Sequence, residues 1–86
     1  MREVDPSLST LENRLLYLAD HIHVTNPRGA GEYQDFYNLF RAKYIAVRVS
    51  PETITRSLRK LAERKKLAKI YGYNGRVMYA PITEVQ

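Results

Sequence analysis

Hydrophobic spacing changes once along this 86-residue chain, at about Lys66, and that change limits the folds open to it. Before it, apolar residues recur at intervals of three and four. After it, Leu67-Ala68-Lys69-Ile70-Tyr71-Gly72 and Val77-Met78-Tyr79-Ala80 flank Tyr73-Asn74-Gly75-Arg76 with a period of two. These are the repeats of a one-sided helix and of a strand, so the pattern predicts helices first and one terminal hairpin. Asn-Gly between two alternating runs is a strong hairpin signal, because both turn residues tolerate positive φ. With Asn74 and Gly75 as a two-residue loop, Ile70 pairs with Tyr79 and Gly72 with Val77, leaving Tyr73 and Arg76 at the tip.

Three helices are expected before the hairpin. Ser9-Thr10-Leu11-Glu12 has the spacing of a capping box, and Leu8, Leu11, Leu15, Leu18 and Ile22 form a buried stripe, predicting a helix over 9–24. Asn26-Pro27-Arg28-Gly29-Ala30-Gly31 then breaks it as a mobile hinge. A second helix over 32–44 carries Tyr33, Phe36, Tyr37, Leu39, Phe40 and Tyr44, a broad apolar and aromatic cover whose aromatics ordinarily belong to the core. Ile45-Ala46-Val47-Arg48-Val49 joins it to a third helix over 50–65, making a helix-turn-helix. Ser50 supplies the cap and Pro51 the first helical position, where its missing amide costs nothing. Ile54, Leu58, Leu61 and Ala62 share one sector of this third helix. Glu52, Thr55, Arg56, Arg59, Lys60, Glu63 and Lys66 take the opposite one. The hairpin spans 67–81, and Ile82 to Gln86 is expected to fray.

Composition excludes several classes. Eighty-six residues predict one domain over 1–86 with a modest core, and the absence of cysteine removes disulfides, thiolate metal sites and a cysteine nucleophile. The amino terminus lacks the apolar run of a signal peptide and no segment is long enough to span a bilayer, so a soluble, cytoplasmic protein without membrane contact is expected. The net charge of +5 is unevenly placed: residues 1–40 carry a balance of −3 and residues 41–76 a balance of +9. A positive segment beside a negative one is the footprint of a nucleic-acid binder, although a membrane surface or an acidic protein would meet the same field.

Rival motifs give little. His21 and His23 point about 200° apart on a helix at 100° per residue and have no third histidine, so no metal is expected. Ser57-Leu58-Arg59-Lys60 matches a Ser-x-x-Lys acyl-enzyme motif by letters only, and Gly29-Ala30-Gly31 lacks the context of a phosphate-binding loop. No catalytic constellation, cofactor site or small-molecule effector site is read, and the chain is expected not to be an enzyme.

Three helices and a hairpin, with the third helix opened by Ser-Pro and basic outside, resemble the winged helix-turn-helix domains of prokaryotic, archaeal and viral DNA-binding proteins. The likeness covers roughly Leu8 to Ile82 and is sharpest over Val49 to Leu61. It implies an α+β, mainly α fold that binds double-stranded DNA. The recognition helix would enter the major groove and the wing, 72–76, would touch the backbone or minor groove. By position the resemblance gives Ser50, Thr53, Thr55, Arg56, Arg59 and Lys60 to the helix role and Tyr73, Asn74 and Arg76 to the wing. Arg56 and Arg59 suit guanine edges, and Lys60, Lys65, Lys66 and Lys69 suit phosphates. A small transcriptional regulator or a viral or mobile-element accessory factor is implied, in the host cytoplasm if viral, with homodimerisation to read two half-sites. The alternative is a protein-interaction module using the acidic half or the tyrosines; a weaker third is RNA or single strands stacking on Tyr73. Such domains commonly place a glycine between recognition helix and wing. Arg64-Lys65-Lys66-Leu67 has none, so a lysine must take the reversal or the helix must run on.

Overall fold

Reciprocal capping starts the first helix. In the computed structural model, which describes residues 4–72 and 74–82, the Ser9 hydroxyl accepts from the Glu12 amide at 3.1 Å and the Glu12 carboxylate accepts from the Ser9 amide at 2.9 Å. The helix so opened, α1 (Thr10–Thr25), turns Leu15, Leu16, Leu18, Ala19 and Ile22 into the core. It is followed by α2 (Tyr33–Lys43), α3 (Pro51–Glu63), and the antiparallel strands β1 (Leu67–Tyr71) and β2 (Val77–Pro81). This is the winged helix-turn-helix order, α+β and mainly α, and each helix lies within two residues of its predicted span. Among the described residues no helix is long and apolar enough to cross a membrane.

The core lies between the helices and one face of the hairpin. Phe36 and Phe40 of α2 and Ile54, Leu58 and Leu61 of α3 are fully buried, and the Phe36 ring meets Tyr79 of β2 edge to face at 6.5 Å. The aromatics of α2 divide, however. Tyr37 and Tyr44 are half-buried and Tyr33 is on the surface, because a helix of 3.6 residues per turn cannot turn every side chain of a broad stripe inward.

A lysine does take the reversal after α3. Lys65 has φ 60°, the only positive φ outside glycine among the described residues. Its amide donates to the Ala62 carbonyl at 3.0 Å and the Lys66 amide to the Leu61 carbonyl at 2.8 Å. That pair of bonds is the Schellman closure, which satisfies carbonyls the helix end leaves open. It delivers Leu67 straight into the core.

Two expectations about the chain beyond the helices are corrected. The hairpin register pairs Ile70 with Met78, Lys69 with Tyr79 and Tyr71 with Val77, one residue away from the expected pairing. The strands therefore close at Tyr71 and Val77, and the connection spans 72–76 instead of Asn74 and Gly75 alone. Within it the Gly75 amide donates to the Gly72 carbonyl at 3.1 Å, Gly75 takes φ 81°, and the Gly72 amide donates to the Arg76 carbonyl. The segment 26–31 is not a free hinge either. Gly31 exchanges both backbone hydrogen bonds with Tyr79, at 3.0 and 2.8 Å, adding a bridge on the far side of β2 from β1. With neighbours on both sides, β2 is buried from Met78 to Pro81. Tyr73 and residues 83–86, the last four of the expected frayed tail, lie outside the described residues.

Candidate nucleic-acid interface

At the start of α3 the hydroxyls serve the helix itself. Ser50 Oγ accepts from the Thr53 amide at 3.2 Å and lies 3.0 Å from Thr53 Oγ1, and Thr55 Oγ1 donates to the Pro51 carbonyl at 2.9 Å. These three sequence-predicted residues therefore sit on the intended helix, with their hydroxyls already engaged in capping and back-bonding. What they leave projecting is charge. Arg56, Arg59 and Lys60 are exposed opposite the buried stripe, and among the described residues no carboxylate pairs with Arg56 or Arg59.

The two arginines border a shallow recess of about 360 Å³ completed by Tyr33, Pro51, Glu52 and Thr55. Tyr33 reaches it from the first turn of α2. The recess offers two forked donors, one carboxylate acceptor, a threonine methyl and an aromatic ring, which together are the side-chain types that read base edges.

Other predicted residues are brought to the same molecule but not to the same electrostatic state. Lys66 Nζ lies 3.1 Å from Asp5 Oδ2, Arg76 Nη1 3.3 Å from Glu32 Oε2, and Arg64 Nη1 3.8 Å from Glu12 Oε2. Lys69 sits with its ammonium 5.6 Å from the Tyr71 ring centroid. Asn74 is exposed at the tip of the hairpin, and Tyr73 falls outside the described residues. The wing cation is thus held back against the amino end of α2 and Lys66 against the segment before α1.

Hydrogen bonding shapes these carboxylates. The Ser7 hydroxyl and amide both donate to Asp5, and Lys66 adds a third favourable contact, so its pKa falls from 3.8 to about 2. The Ser9 amide holds the Glu12 carboxyl below its ordinary value in the same way.

Four residues that line surface recesses have no DNA-contact role in the sequence reading: Tyr33, Tyr37, Arg41 and Arg48. The first three stand at i, i+4 and i+8 on α2, where Tyr33 and Tyr37 are read as core because they are aromatic. Arg41 and Arg48 belong to the counted basic segment, yet only the packing of α2 against the turn sets them together. They line, with Tyr37, Ile45, Val47 and Val49, a second recess of about 510 Å³.

Comparison with known proteins yields no matching family model, no matching curated protein and no matching solved structure. The functional reading therefore stands on geometry and charge.

Proposed function

We propose that this chain is a non-enzymatic winged-helix protein that binds double-stranded DNA, as a small regulator or a viral or mobile-element accessory factor. In this reading α3 enters the major groove with Arg56 and Arg59 facing base edges and Lys60 facing phosphate. The hairpin approaches the flanking backbone.

The observation that carries it is the contrast on α3. Ile54, Leu58 and Leu61 on its inner face are fully buried, so the helix is firmly mounted, while Arg56 and Arg59 stay unpaired at its outer face, in contrast to Arg64, Lys66 and Arg76, which lie within 4 Å of acids. Two exposed guanidiniums beside an aromatic ring on a short capped helix suit bidentate recognition of guanine. The half-and-half charge distribution would orient the basic side toward the duplex.

The competing reading, a protein-interaction module, has one supporting observation. An apolar groove of about 430 Å³ runs between the segment before α1 and the helices, lined by Val4, Pro6, Leu8, Tyr17 and Tyr44 among others. Fluorescence anisotropy with labelled duplexes separates the two. A DNA binder loses affinity steeply as salt rises, and Arg56→Ala with Arg59→Ala removes about 1–3 kcal/mol for each arginine that pairs with a guanine. Failure to bind any duplex at low salt, or binding indifferent to salt and to both substitutions, refutes the DNA reading.

A further inference from the structure

We propose that the outer edge of β1 is a docking strip for an extended acidic peptide segment of another protein, which pairs with it as a further antiparallel strand. The strip lies on the opposite edge of the sheet from the Gly31 bridge, and the inference stands whether or not α3 binds DNA.

The direction of the backbone groups follows from Tyr79. Its amide and carbonyl are both engaged by Gly31, at 2.8 and 3.0 Å, so they point away from β1. Lys69, opposite Tyr79, therefore belongs to a non-hydrogen-bonded pair, and by the alternation of an antiparallel ladder so does Tyr71 opposite Val77. The bond from the Gly72 amide to the Arg76 carbonyl has the same phase. The amides and carbonyls of Lys69 and Tyr71 thus face outward, and among the described residues no strand lies beyond them. An unpaired row of this kind is a template for another strand.

Side chains decide what occupies it. Ile70 is 43% exposed on the face it shares with Met78. Tyr71 is 68% exposed on the other face beside Lys69, whose ammonium lies 5.6 Å from its ring centroid. Among the described residues no carboxylate pairs with Lys69, unlike Lys66, which has Asp5 at 3.1 Å. Charge excludes a second copy of this chain as the favoured occupant. Antiparallel self-pairing through the outward groups would set the two copies' Lys69 side chains opposite each other, and a lysine so placed blunts self-association of an edge. An acidic strand meets complementary charge instead. Its backbone supplies the missing hydrogen bonds, a glutamate opposite Lys69 forms a cross-strand pair, and an aliphatic neighbour lies against Ile70.

The test uses the capped peptide Ser-Val-Ile-Glu-Thr-Glu-Ser, which in antiparallel register sets its isoleucine opposite Ile70 and a glutamate opposite Lys69. A control peptide has lysine in place of both glutamates. Amide hydrogen exchange on the isotope-labelled protein is expected to show the Lys69 and Tyr71 amides becoming protected with the acidic peptide. Those of Ala68 and Ile70, already bonded to β2, should change little, and the control peptide should lose affinity. Lys69→Met removes the charge and keeps the amide, and is expected to weaken binding by up to about 5-fold. Lys69→Pro also removes the outward donor while leaving the β1–β2 bonds in place, and should cost roughly 2- to 12-fold more. Both variants are compared at matched circular dichroism. Should Lys69→Pro fail to fold, the wild-type protection pattern decides. The strip is overturned by no binding of the acidic peptide, by binding that leaves the Lys69 and Tyr71 amides unprotected, by equal binding of the control peptide, or by equal affinity of Lys69→Pro and Lys69→Met. Concentration-dependent protection of the same two amides without peptide assigns the edge to a second copy, and protection by duplex DNA but not by peptide assigns it to DNA; either result overturns the proposal.

Discussion

Replacing Lys65 by glycine should stabilise the protein, although it deletes an exposed charge from a basic segment. Lys65 closes α3 at φ 60°, with its own amide and that of Lys66 bonded back to Ala62 and Leu61. An L-residue in this conformation carries about 1–2 kcal/mol of strain between its Cβ and the adjacent carbonyl, which glycine does not have. Glycine returns about 0.5–1 kcal/mol through the greater freedom of its unfolded chain, so the net gain is about 0.5–1 kcal/mol. For a domain of this size each kcal/mol moves the melting temperature by about 4–8 °C, so Lys65→Gly should melt about 2–8 °C higher. Lys65→Ala is the control, since it removes the same side chain but keeps the Cβ, and it should stay within about 0.5 kcal/mol of wild type. Thermal circular dichroism at fixed pH and salt reads all three. A Lys65→Gly protein that melts at or below Lys65→Ala refutes the strain argument.

Other expectations follow from particular side chains. Glu32→Gln frees Arg76 from the carboxylate 3.3 Å away, so random-duplex affinity should rise about eight-fold at 0.1 M salt if the wing then neutralises one more phosphate; unchanged affinity would remove the wing from the interface. Gly31→Val should destabilise by about 1–3 kcal/mol in a denaturant titration, because a Cβ there would meet Ile22 Cγ2 at 3.0 Å and Asp35 Cβ at 3.3 Å. Asp5 and Glu12 both have folded pKa values below their ordinary ones, so the unfolded chain takes up protons first on acidification. Their stabilisation is complete above the ordinary carboxylate range and is lost as pH falls through it, for Asp5 between 3.8 and about 2. Asp5→Asn with Glu12→Gln should flatten the acid limb of stability against pH, and an equally steep limb would show that other groups set it.

Helix ends, the buried stripe of α3 and the existence of the hairpin were legible because their causes are local. Ser9 and Glu12, or Ser50 and the amide of Thr53, lie within one turn of each other, and a period of three and four is complete within a single helix. The missing glycine after α3 was legible in the same way, since a reversal at Lys65 concerns only its own dihedral and bonds reaching back a few residues. For the candidate interface, the residue types and the basic segment were visible, and so was the outward projection of Arg56 and Arg59.

Register, the bridge at Gly31 and the electrostatic state of the cations were not legible, because each joins parts of the chain far apart in sequence. Asn74-Gly75 is compatible with more than one turn, and the one adopted seats Tyr79 against Phe36 while its backbone pairs with Gly31. Nothing near Lys66 announces Asp5, and nothing near Arg76 announces Glu32, 44 residues away. A local pattern states which side chains share a face; which cations stay free on that face depends on acids that folding delivers from elsewhere. The free cations on α3, rather than the total charge, are what the assembled structure contributes to the functional reading.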